Sequence, residues 1–176
     1  MNSVRRLAGR SLFLDANGAI YFLEGMTSPE ADEIFMMACG PDPSIKFVTN
    51  AGIVDEIFFK MLVLRAKSRG IPKNTIAKLR RNKRNVIEIA PELEKVKNFL
   101  DRLNLNIEPV EKKDVYQVLP IMTEYGLFGK DALIVRTMRK FNMKFLLSSD
   151  RDFDSVSWIE RVDPLREDMM QEVKYE

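Results

Sequence analysis

Apolar residues along this chain come in two alternating patterns. Short, fully apolar runs are separated by longer stretches in which apolar residues recur every three or four positions. The first short run, Ser11 to Asp15, reads as a buried strand. A helix is predicted over Ala16 to Glu24, with Gly25 as its stop. Ser28-Pro29-Glu30 starts a second helix, with a serine N-cap, proline at the first position and an acid in the first turn. Its stripe is Ala31, Ile34, Phe35 and Ala38, ended by Gly40-Pro41. Ile45 to Thr49 is the second strand. Asn50 caps a long helix to about Ser68, with Ile53, Ile57, Met61 and Leu64 on one face and Gly70-Ile71-Pro72 beyond its end. A basic segment follows as helix or ordered loop, then a minor apolar run from Val86 to Ile89. Pro91 opens a helix carrying Leu93, Val96, Phe99, Leu100 and Leu103 on one side. Asn106 to Val110 is the third strand, and Lys112 to Tyr125 a helix that Pro120 must kink or split. A helix from Lys130 to about Phe141 precedes strands at Lys144 to Leu147 and Trp158 to Val162.

Short apolar strands alternating with helices predict an α/β fold. A mostly parallel sheet of about five strands is expected, covered on both faces. The 176 residues suit one domain, expected over residues 1–166, with a polar tail over 167–176. No apolar run is long enough to span a bilayer, and Leu12-Phe13-Leu14 is too short for the core of a signal peptide, so a cytoplasmic location is expected.

Composition then removes whole classes of chemistry. The chain has no histidine. That excludes imidazole acid–base catalysis, Ser-His-Asp and Cys-His arrangements, and histidine-ligated metals. Cys39 is the only cysteine, so an internal disulfide and a thiolate zinc site are impossible. It is expected to be a small buried residue. Hydrolytic chemistry here must use carboxylates, hydroxyls, lysines or a metal held by carboxylates.

Four acids sit where apolar segments end or helices begin: Asp15, Glu56, Asp131 and Asp150. Carboxylates beside buried segments are costly unless something positive joins them. Ligands of open parallel sheets bind outside the carboxyl ends of the strands, where Asp15 and Asp150 fall. Asp131 lies in the first turn of a helix, where exposed amides favour a carboxylate. One edge of the sheet can collect all four. Each acid alone also has a plainer reading, as a turn residue, a helix-start carboxylate or a solvated helix position. Asp55 competes with Glu56, because adjacent helical residues point about 100° apart.

Those same residues carry a resemblance. Leu12-Phe13-Leu14-Asp15-Ala16-Asn17, Val54-Asp55-Glu56-Ile57, Gly129-Lys130-Asp131-Ala132-Leu133-Ile134 and Leu147-Ser148-Ser149-Asp150-Arg151-Asp152-Phe153 together resemble the PIN-domain nucleases in order and spacing. The resemblance implies a three-layer α/β/α fold and a Mg²⁺- or Mn²⁺-dependent endoribonuclease. It assigns Asp15, Glu56, Asp131 and Asp150 as metal ligands or water-positioning groups and favours Glu56 over Asp55. Asp152 is an accessory acid, and Asn17 and Ser148 hold carboxylates in place. Clustered carboxylates suit hard cations, which activate water and neutralise a scissile phosphate without any histidine. Compact family members are toxins of toxin–antitoxin pairs, which implies a homodimer and an antitoxin peptide. The chain is longer than those toxins around residues 66–110, which keeps an RNA-processing nuclease, or an inactive scaffold binding RNA or protein, as alternatives. A haloacid-dehalogenase-type phosphatase ranks low, because Asn17 stands where that family needs a second Asp.

Charge adds one further candidate surface. Net charge is only +2, but residues 73–84 contain Lys73, Lys78, Arg80, Arg81, Lys83 and Arg84 and no acid. Arg80, Arg81 and Lys83 there, with Lys130 and Arg151 beside the acids, are candidate RNA contacts, weighed against a merely solvated face. The segment has no aromatic residue of its own, which argues against base stacking on it.

Overall fold

A computed structural model describes residues 3–39, 42–103 and 105–169. Its centre is a five-stranded, wholly parallel sheet in the order β3-β2-β1-β4-β5. The strands are β1 (Ser11–Leu14), β2 (Lys46–Asn50), β3 (Asn106–Glu108), β4 (Phe145–Leu147) and β5 (Glu160–Val162). The helices are α1 (Ala16–Leu23), α2 (Pro29–Ala38), α3 (Ala51–Ser68), α4 (Thr75–Arg81), α5 (Lys83–Ile89), α6 (Glu94–Arg102), α7 (Lys112–Tyr116), α8 (Val118–Tyr125) and α9 (Gly129–Lys140). Right-handed crossovers put α1 to α6 on one face as the chain steps from β1 to β3. They put α7 to α9 on the other face on the way back to β4. This is the expected three-layer α/β/α arrangement. Among the described residues no helix is long and apolar enough to cross a membrane.

The central strand β1 is apolar because both its faces are covered. Phe13, Leu14, Leu146 and Leu147 are wholly buried, which leaves no polar face for solvent. On the first face the rings of Phe22, Phe35, Phe47 and Phe99 stack between α1, α2, β2 and α6, with centroids 4.2 to 6.0 Å apart. A smaller apolar cluster of Ala66, Leu79 and Ile89 fastens α4 and α5 to the far end of α3.

Local signals set the helix boundaries. Ser28 caps α2 through Ala31 N–H at 3.2 Å. Asn50 caps α3 through Ile53 N–H at 3.1 Å, and its amide donates to Thr137 Oγ1 on α9 at 3.2 Å. The helix predicted over Lys112 to Tyr125 is split at Gln117. Pro120 has no N–H for the carbonyl of Tyr116, and its ring displaces that carbonyl, so α7 ends there. The basic segment forms two helices, α4 and α5, and the run from Val86 to Ile89 is the inner side of the second. The helix expected from Pro91 begins as a 3₁₀ turn, Ala90–Leu93, before α6.

Cys39 is exposed, contrary to expectation. It follows Ala38, the last residue of the buried stripe of α2, and one helical step turns it away from that stripe. Residues Gly40-Pro41, expected to stop α2, lie outside the described residues, as does the expected tail from residue 170 onward. Residues Glu167–Met169 form a 3₁₀ turn.

Candidate metal centre

The acids gather at the carboxyl edge of β1 and β4. Asp15 follows β1 and is the N-cap of α1, accepting from Ala16 N–H at 2.6 Å through Oδ1. Its Oδ2 accepts from Ser148 Oγ at 2.7 Å and from Asn17 Nδ2 at 2.9 Å. Asn17 Oδ1 in turn accepts from Ser149 N–H at 3.1 Å, and Ser148 Oγ from Asp150 N–H at 3.1 Å. This network locks the start of α1 to the loop after β4. Gly18 allows the approach, since a Cβ there would meet the carbonyl oxygen of Leu147 at 3.2 Å.

Asp150 opens the 3₁₀ turn Arg151–Ser155 and accepts from Asp152 N–H at 2.9 Å. That turn brings Asp152 back beside Asp150, while α9 delivers Asp131 from the opposite face of the sheet. Asp131, Asp150 and Asp152 each place a carboxylate oxygen within 4.8 Å of the others. None of the three pairs with a lysine or arginine among the described residues.

Electrostatics mark this cluster as short of positive charge. Burial, then the charges of Asp150, Asp15, Asp152 and Glu56, push the Asp131 carboxyl up to about 6. The helix N-terminus would pull the other way, and it loses. Burial also raises Asp15, against the pull of its bonds from Ser148 and Ala16.

Glu56 behaves differently. Burial raises it, but Lys60 and Lys130 outweigh burial and hold it below the usual carboxylate range. Lys60 Nζ lies 2.8 Å from Oε1 and Lys130 Nζ 3.3 Å from Oε2. Asp55 is exposed, whereas the charge of Glu56 is felt at both Asp15 and Asp131. Lys60 escaped the sequence reading, although its spacing four residues after Glu56 on a helix was a usable signal. So did Tyr21, whose hydroxyl lies 3.4 Å from Ser149 Oγ.

The candidate RNA contacts fall in two places. Lys130 sits at the acids, while Arg151 is exposed and its charge is felt at Asp154. Arg80, Arg81 and Lys83 are exposed at the junction of α4 and α5, on the far half of α3.

Three aspartates with no cationic partner among the described residues, one with its carboxyl raised by burial and by its acidic neighbours, suit a hard cation. Hard cations take oxygen ligands, at about 2.0–2.6 Å, and three carboxylate oxygens within 4.8 Å of one another offer such a set. Softer metals would want the imidazole or thiolate that this edge lacks.

Comparison with known proteins agrees with this architecture. The PIN domain family model matches residues 12–159. No curated protein matches the sequence significantly. Among solved structures, a chain of the VapBC2 complex of Rickettsia felis, bound to a DNA fragment from their promoter, is similar at TM-score 0.55 and 17% identity. The match covers 87% of this chain and 99% of that one. A chain of a toxin–antitoxin complex from Klebsiella pneumoniae is similar at TM-score 0.50 and 15% identity, covering 88% of this chain and 98% of that one. At such identities the likeness is one of fold.

Proposed function

The chain belongs to the PIN domain family, and from that premise we propose that it is a Mg²⁺- or Mn²⁺-dependent endoribonuclease of the cytoplasm. The observation that carries this reading is the trio Asp131, Asp150 and Asp152, close together, without a cationic partner, and with Asp131 driven up to about 6.

Asp131, Asp150 and Asp152 would hold the cation, with Asp15 behind them. Bound there, the ion would lower the pKa of a water and offset charge gathering on the scissile phosphate. A cation held there would favour the ionised form of Asp131, which burial and the neighbouring acids otherwise disfavour. Ser148 and Asn17 fix the angle of the Asp15 carboxylate, so that little reorganisation is left for the reaction. Glu56, kept ionised by Lys60 and Lys130, is the acceptor available to orient an attacking water. With no histidine in the chain, the proton for the leaving oxygen comes from solvent or a lysine such as Lys130.

The two toxin–antitoxin complexes that share the fold support a toxin role with an antitoxin as partner. The test is cleavage of a single-stranded RNA by purified protein with added Mg²⁺ or Mn²⁺. Asp15→Asn is expected to abolish cleavage while leaving the thermal transition in place. Cleavage at the wild-type rate by this variant would sink the proposal.

A further inference from the structure

The basic segment has no aromatic residue of its own, but the fold supplies one. Packing of Leu79 and Ile89 on Ala66 lays α4 and α5 along α3. That places Phe59, 46% exposed, between two adjoining cavities. The first, about 550 Å³, runs between α1 and α3 past Tyr21, Phe59 and Ile76, and opens at Asn17 and Lys60 beside the acids. The second, about 310 Å³, continues past Phe59 and Ile76 to Arg80 and Lys83. Both volumes are those of ligand sites. No carboxylate among the described residues pairs with Arg80 or Lys83, nor with their neighbours Lys78 and Arg81.

We propose that this groove is the track along which single-stranded RNA leaves the acidic centre, with a base stacked on Phe59 and backbone phosphates on Arg80 and Lys83. The inference rests on the nuclease reading and extends it to a binding subsite. An exposed aromatic face beside unopposed cations, continuous with the site of phosphodiester chemistry, is the pairing by which proteins hold single strands without reading sequence. An apolar helix of a protein partner would also fill such a groove, but it would leave Arg80 and Lys83 unanswered, whereas a phosphate chain matches them.

The two occupants make different demands on residue 59. A stacked base needs a π face; a packed helix needs only apolar volume. Binding of a fluorescently labelled single-stranded RNA is measured in EDTA, where cleavage cannot interfere. Phe59→Leu and Phe59→Ala are each expected to weaken binding about tenfold. Phe59→Trp restores it. Arg80→Ala with Lys83→Ala lowers the slope of log affinity against log salt by about 1.4. Folding of each variant is checked by its thermal transition, and Phe59, half open to solvent, tolerates all three changes.

Wild-type affinity in Phe59→Leu, with loss only in Phe59→Ala, would mean an apolar protein occupant and overturn the proposal. An unchanged salt slope, or no RNA binding by the wild-type protein, would overturn it too. RNA that binds in this Phe59-dependent way but is never cut with any divalent ion would defeat the nuclease reading and leave the groove standing. Cutting and binding at wild-type levels in all variants would defeat the groove alone.

Discussion

Replacing Asp131 by asparagine should make the cation-free protein more stable while disabling it. On folding, the carboxyl goes from an ordinary 3.8 to about 6, with burial and four like charges as the causes. The folded state therefore holds the proton more tightly than the unfolded one. Below about pH 4 the group is protonated in both states and there is no penalty. The penalty grows as pH rises from about 4 to about 6, and is fully present above that. Its undiscounted size is roughly 3 kcal/mol. Asp131 is only half-buried, and solvent screening reduces this to about 1–2 kcal/mol. Asparagine also forgoes a favourable charge in the first turn of α9, worth about 0.3–1 kcal/mol. Repulsion wins, and the net gain is about 1 kcal/mol, or about 2–4 °C in Tm for a chain of this size.

Urea or thermal unfolding in EDTA at pH 4, 6 and 8 tests this. Asp131→Asn should match the wild type at pH 4 and exceed it at pH 8. Added Mn²⁺ should reverse the order, because a cation that binds only the folded state stabilises by about 2.7 kcal/mol at a hundred times its Kd. That gain belongs to the wild type alone if Asp131 is a ligand. A variant no more stable than wild type at pH 8, or a gap that does not change with pH, would refute the electrostatic reasoning. Equal Mn²⁺ stabilisation of both proteins would refute the ligand assignment.

Three further outcomes are expected. Ser148→Ala removes a donor that lowers the Asp15 carboxyl, so the acid limb of the pH–rate profile should move to higher pH, with a stability loss of about 1–2 kcal/mol by urea titration. Glu56→Gln should reduce kcat about 10²-fold, while Asp55→Asn stays near the wild-type rate; single-turnover cleavage of labelled RNA separates them. Asp114→Ala strips the buried partner of Arg136 and Lys140 and one half of the α7 capping box, and should cost about 2–3 kcal/mol in denaturant with activity per folded molecule unchanged.

How far the sequence could be read depended on whether a feature was local. The inner strand β1 was legible because a strand buried on both faces needs an unbroken apolar run, whereas the partly exposed edge strands β3 and β5 are shorter than the expected Asn106 to Val110 and Trp158 to Val162. Asn50 and Ser28 declared α3 and α2 through capping chemistry that acts within three residues. Pro120 declared the break at Gln117 for the same reason. What the local pattern does not show depends on distant partners. Ser148 and Asp15 stand 133 residues apart, and that bond exists only because β1 and β4 are neighbours. No window of the chain contains it; the two residues were paired only through the family resemblance. Residues 73–84 hold no aromatic residue, and the ring that lines the same cavity as Arg80 and Lys83, Phe59, comes from α3, outside any window of that segment.

Two buried aspartates show what separates a carboxylate paired with cations from one held by neutral donors. Asp114 and Asp15 are both almost inaccessible, at 3% and 8% exposure. Burial raises each. At Asp114 the backbone of Glu111 and the charges of Lys140 and Arg136 prevail, and the carboxyl ends below its ordinary value. At Asp15 the partners are neutral donors, from Ser148, Asn17 and Ala16, and burial prevails. The protein thus pairs Arg136 and Lys140 directly with one buried acid and leaves only the more distant charge of Lys60 to act on the other. Nearby Lys60 and Lys130 are committed to Glu56 and leave Asp131, Asp150 and Asp152 without a partner. Neutral donors can fix a carboxylate's direction without satisfying its charge. An acid held in that way stays oriented and short of positive charge, which is the condition under which a divalent ion gains most by binding.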